Sequence, residues 1–129
     1  MQVAPSSSCQ IKVENPKYDE LTSELLVLSR KLKLMTKDLA DTKKIVADFK
    51  ASKKDIESSE KMLPGLRACA GMCDDIEDYI AECKNLAANE DDSVYEEALN
   101  KVLKYKSNCD TYIGALKDAK AKAAEGLKA

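Results

Sequence analysis

The sequence predicts an all-α fold: an antiparallel bundle, or coiled-coil hairpin, of three helices with one long N-terminal helix. Three observations carry this. Apolar residues recur at alternating three- and four-residue steps: Tyr18, Leu25, Leu32, Leu39 and Val46 at one seam position, and Leu21, Leu28, Met35, Phe49, Ile56 and Leu63 at the other. The composition favours helix: Ala, Leu, Lys and Glu dominate, with only 3 prolines and 4 glycines in 129 residues. Two segments then interrupt the pattern, Pro64-Gly65 and Asn89-Glu90-Asp91-Asp92-Ser93.

Residues 1–14 read as a flexible N-terminal arm, and 15–129 as a single helical domain. Helix 1 is expected over about 15–63. Asn15 suits the N-cap, Pro16 the first helical position, and Asp19 and Glu20 the positive end of the helix dipole. Its second half is weaker, because Thr42, Lys53 and Glu60 occupy seam positions. Pro64-Gly65 ends it, or else kinks a continuous helix. Helix 2 is expected over about 66–88, with Leu66, Cys73, Ile80 and Ala87 on one row and Cys69, Ile76 and Cys83 on the other. Helix 3 is expected over about 94–127, capped by Asp92 or Ser93. Its seam is Tyr95, Leu99, Val102, Cys109, Ile113 and Leu116. An adjacent row of Ala98, Tyr105, Tyr112 and Ala119 widens the face enough for two neighbours.

A first hairpin centred between Pro64 and Gly65 sets Phe49 opposite Ile80 and Val46 opposite Cys83. A second centred on Asp91 sets Ile80 opposite Val102 and Cys73 opposite Cys109. In this register helix 2 reaches back along helix 1 only to about Thr42. Tyr18, Leu21, Leu25, Leu28, Leu32, Met35 and Leu39 are then left as an uncovered apolar stripe, expected to bind a protein partner or a second copy.

The 5 cysteines are many for so small a helical chain. They favour an oxidising compartment, hence a secreted mature segment whose Met1 was added for expression, with a cytoplasmic protein as the alternative. Cys73 and Cys109 are the expected disulfide pair. The pairing of Cys9, Cys69 and Cys83 is left open, and an odd count leaves one thiol free or intermolecular.

No metal, cofactor or catalytic site is expected. The chain has no histidine, so the usual general base and the Ser-His and Cys-His nucleophile pairs are absent. Cys69-x-x-x-Cys73 lacks zinc-knuckle spacing, the acids of helix 2 lack an EF-hand glycine, and no phosphate-cradling loop occurs. A net charge of −2 argues against nucleic acid, and no apolar run is long enough to span a bilayer. The acidic helix 2 reads as a solvated face before it reads as a dock for a basic partner. The expected function is a non-enzymatic, disulfide-stapled, secreted helical protein that binds a macromolecule. The alternatives are an intracellular coiled-coil assembly subunit or adaptor, and a carrier of a small apolar ligand in the bundle core.

Overall fold

The computed structural model describes residues 15–129; the N-terminal arm and Cys9 lie outside the described residues. Three helices and no strands are present among them: α1 (Pro16–Ser52), α2 (Ile56–Lys84) and α3 (Asp92–Lys128). The all-α three-helix bundle expected from the sequence is therefore observed. Its first turn is elsewhere.

α1 starts as anticipated. The Asn15 side chain accepts from the backbone N–H groups of Lys17 and Tyr18, and Pro16 opens the helix. α1 ends at Ser52 instead of Leu63. Lys53 adopts the left-handed conformation (φ 59°) and donates its N–H to the Lys50 carbonyl. Asp55 then caps α2, accepting from the N–H of Ser58 at 3.0 Å and from its hydroxyl at 2.8 Å. Pro64 lies inside α2, where it faces solvent. It denies the Glu60 carbonyl its helical donor, but water can serve that carbonyl at the surface, so the helix continues.

This shift of the turn resets every register that involves α1. Lys50 pairs with Glu60 across the hairpin at 3.8 Å. α2 runs antiparallel to α1, and α3 returns parallel to it. The ends confirm the direction: Asn15 Nδ2 donates to Asp92 Oδ1 at 3.1 Å, and Phe49 packs on Gly126 at the far end. Between them the rungs Lys17–Glu96 (2.6 Å), Lys106–Glu24 (2.5 Å), Lys31–Asp110 (2.7 Å) and Lys120–Asp41 (3.9 Å) follow in order. α3 thus covers the whole of α1.

The apolar stripe expected to await a partner is consequently core. Leu21, Leu25, Leu28, Met35 and Leu39 are all buried, Leu28 and Met35 completely. Leu32 is half-buried against the core, and Tyr18 meets the Tyr95 ring edge-on at 5.4 Å between centroids. These residues are therefore not the expected partner-binding surface: the chain itself covers them. Thr42, a weak point in the seam, is fully buried and donates to the Leu116 carbonyl at 3.4 Å.

Leu28→Ala should therefore cost about 2–5 kcal/mol of unfolding free energy, the usual range for a truncated core leucine. It would appear as a lower urea midpoint, and an unchanged midpoint would return Leu28 to the surface.

Two helix substitutions should act in opposite directions. Pro64→Ala restores a helical donor at an exposed site and should stabilise by up to about 3 kcal/mol. Gly126→Ala places a methyl against the Phe49 ring and should destabilise, although alanine is the better helix former by about 1 kcal/mol. Thermal melts of both variants check the signs.

Candidate functional site: the groove between α2 and α3

The bundle is not evenly closed. α1 packs along both partners, most extensively on α3, whereas α2 and α3 touch each other sparsely. The side chains on their facing edges explain this. α2 spends its apolar stripe (Ser59, Leu66, Cys69, Ile76, Ile80, Cys83) on burial, and α3 does the same with Tyr95, Ala98, Val102, Cys109, Ile113, Leu116 and Ala123. What remains between them is a second row of half-buried residues, among them Met72, Tyr79, Tyr105 and Tyr112.

Long side chains bridge the gap. The Tyr79 and Tyr105 rings lie 5.5 Å apart at 53°. The Lys101 ammonium sits 4.8 Å from the Tyr79 ring centre. Asn108 Nδ2 approaches Met72 Sδ at 3.9 Å. Hollows open along this line. One of about 250 Å³ is bordered by Tyr79, Cys83, Leu86, Val94 and Ala98. A second, of about 560 Å³, is bordered by Met72, Asp75, Lys104, Tyr105 and Asn108. A third, of about 100 Å³, lies among Met62, Leu66, Tyr112 and Ala119. They share Lys101 and Glu97 or follow one another down the same two helices.

Asp75 and Glu82 border the groove on α2, with Asp78 about one helical turn from each on the exposed face beside them; Lys101 and Lys104 border it on α3, together with Glu97. None of Asp75, Asp78, Glu82 and Lys104 stands in an ion pair among the described residues. At the upper end the Tyr95 hydroxyl donates to the Ala87 carbonyl at 2.5 Å and accepts from the Glu90 N–H at 2.8 Å. That fully buried tyrosine ties down the α2–α3 connection.

The disulfide expected between Cys73 and Cys109 is not formed. Cys69, Cys73, Cys83 and Cys109 are free thiols. The α2–α3 register that set Cys73 opposite Cys109 does hold, and Cys69, Cys73 and Cys109 are neighbours. The sulfurs are directed elsewhere, however. Cys69 and Cys109 are fully buried in the core, and the Cys73 sulfur accepts from the Thr36 hydroxyl on α1 at 3.8 Å. Among the described residues no group of His, Cys, Asp or Glu is arranged to hold a metal ion, and no helix is long and apolar enough to cross a membrane.

The thiols carry a distinct pH signature. Burial, with Cys73 adding to it, pushes the Cys69 thiol up to about 12, and burial pushes Cys109 up to about 11. Burial also raises Cys83. Low-pKa reactive cysteines are the opposite case.

The rows of α3 read from the sequence already contained one wall of the groove, Tyr105 and Tyr112. The other wall, Met72 and Tyr79 on α2, was missed. Its signal was an apolar residue every seven positions, one place off the seam. The exposed leucines Leu26, Leu34 and Leu103 do not line the groove. No family model, curated protein or solved structure matches this chain.

A raised thiol pKa means that the folded state holds its protons longer than the unfolded chain, whose thiols ionise near 9.0. The stabilising contribution is complete below about pH 9 and is lost as pH rises toward 11 and 12. Urea midpoints should fall over this window, and should fall less in Cys69→Ala/Cys109→Ala. Equal slopes for both proteins would show that the thiols are not responsible.

Proposed function

We propose that this chain is a non-enzymatic helical binding protein that receives an amphipathic helix of a macromolecular partner in the groove between α2 and α3. One observation carries the reading. Both helices are seated on α1, yet they leave between them an apolar trough of tyrosine and methionine flanked by unpaired charge. Helix-in-groove recognition uses such a trough, with apolar anchors every three or four residues. Tyrosine and methionine are enriched at interface cores because they bury much area at little conformational cost. The sequence supports the non-enzymatic part by chemistry: it contains no histidine and no nucleophile paired with a base.

Relative to the reading from sequence alone, the binding surface moves from α1 to the α2–α3 face. Secretion rested on the number of cysteines, and with the four described cysteines free it is not part of the proposal. Binding is common to the extracellular reading and to the intracellular adaptor reading.

Selection of helical peptides from a display library against the intact chain tests this. Bound peptides should slow amide exchange on the facing edges of α2 and α3, around Met72–Leu86 and Val94–Tyr112. Tyr105→Glu, at unchanged helix content, should abolish the effect. A selection that yields no peptide, or peptides that protect the outer face of α1 at Leu26 and Leu34, would overturn the groove as the binding surface.

A further inference from the structure

The groove carries both halves of an ionic complement. Tyr79 stands opposite Tyr105, and Met72 opposite Asn108, across the antiparallel pair. By that register Asp78 and Lys104 share one level, and Glu82 and Lys101 share the next, one helical turn away. Acids stand on the α2 edge and lysines on the α3 edge, with the apolar trough between. Glu97 is the exception on the α3 edge: its level is that of Asn85, and it borders the first two hollows beside Lys101.

We infer that the occupant of the groove is a second copy of this chain. This rests on the binding reading above for the surface used, and puts the α2–α3 face of a second copy there in place of a single inserted helix. In a twofold dimer each surface must complement itself. A twofold axis along the groove, parallel to the helices, lays α2 of each copy over α3 of the other and keeps every residue at its own height. Asp78 then meets Lys104 of the second copy, Glu82 meets Lys101 of the second copy, and each pair occurs twice. The two troughs close on one another, burying Met72, Tyr79, Tyr105 and Tyr112 from both sides. The alternative twofold axis, across the helices, stacks α2 on α2 and brings Asp75, Asp78 and Glu82 toward their own copies. Like charges brought together oppose that arrangement. The charge pattern therefore selects one geometry, antiparallel α2 on α3. A foreign helix would have to carry a basic flank and an acidic flank in this same order. The chain already carries both.

The test uses two charge reversals at exposed positions, where folding should be untouched. Wild-type protein should sediment as a concentration-dependent dimer. Asp78→Lys alone sets lysine against lysine in both halves of the interface. Lys104→Glu alone sets acid against acid. Each should weaken self-association at least about tenfold, within the range known for like-charge juxtaposition at interfaces. Mixed together, the two variants should re-form a dimer. In one half of that mixed interface the lysine introduced by Asp78→Lys meets the glutamate introduced by Lys104→Glu, and in the other half the native pair of Asp78 and Lys104 survives. The double reversal in one chain should also dimerise like wild type. Circular dichroism confirms that each variant is folded.

A wild-type chain that stays monomeric at every concentration overturns the second-copy assignment, while the peptide selection above still decides on the groove itself. A dimer indifferent to both single reversals overturns it too, by placing the contact elsewhere. Failure of the mixture to re-associate overturns the twofold arrangement, since an interaction confined to one chain gains nothing from mixing.

Discussion

The turn at Lys53–Asp55 is the constraint from which the other contacts follow. A three-residue link between antiparallel helices fixes their mutual register, and the register of α1 against α2 then determines where α3 lies along both. With the turn there, α1 and α3 each run 37 residues and α2 runs 29, so all three helices end within a few turns of one another. Had the turn lain at Pro64-Gly65, α3 would have been displaced along α1 by several helical turns. Half of the strongest apolar seam would then face water. The observed turn tolerates a lysine in left-handed backbone and a proline within α2. Each is a local cost of about a few kcal/mol at most. Burial of Leu21, Leu25, Leu28, Met35 and Leu39 outweighs both, at roughly 1.5–3 kcal/mol per side chain.

Much of the architecture was legible in the residues. The heptad rows, the cap at Asn15-Pro16, the connection at Asn89–Ser93 and the level agreement of Cys73 with Cys109 all follow from periodicity and turn chemistry. The first turn did not. Ile56 and Leu63 keep the heptad phase of α1 across the break, so the seam runs on without a visible interruption, and Lys53-Lys54-Asp55 contains neither glycine nor proline. Two local signs were present: Asp55 three residues before Ser58, and polar Lys53 and Glu60 in seam positions. Against them stood a Pro-Gly pair, normally the stronger punctuation. Proline breaks a helix only when the freed carbonyl and the ring cannot be accommodated, and that depends on burial, which no local pattern reports. The binding stripe was misplaced for the same reason. Its residues need cover, and with the turn at Pro64-Gly65 only a partner could supply it, whereas with the turn at Lys53–Asp55 α3 does.

The disulfide shows a further limit. Facing positions along two helices are necessary for a bridge, but the helices must also approach closely enough for the sulfur atoms to bond. α2 and α3 meet the first condition, but the sulfurs are turned elsewhere: Cys73 faces the Thr36 hydroxyl on α1, and Cys109 is buried in the core. The same seating of α2 and α3 on α1 turns Cys73 toward α1 and leaves the groove between the two helices.

That common origin ties the groove to the rest of the molecule. α3 has a face wide enough for two neighbours, as the row of Ala98, Tyr105, Tyr112 and Ala119 indicates. α2 does not: its edge toward α3 alternates Met62, Met72, Tyr79 and Leu86 with Gly65, Asp75 and Glu82. Small and charged residues cannot reach across, and the large ones reach only singly, as Tyr79 does to Tyr105. The second apolar row of α3 is therefore left half satisfied. The Tyr95 hydroxyl, bonded to both Ala87 and Glu90, anchors the connection between the two helices. A bundle held open in this way keeps buried thiols and a strong α1–α3 seam for its stability. It keeps the trough and its opposed rows of charge for whatever lies against them. The core and the groove thus use different faces of α2 and α3, so substitutions at exposed Asp78 on α2 and Lys104 on α3 leave the core packing untouched.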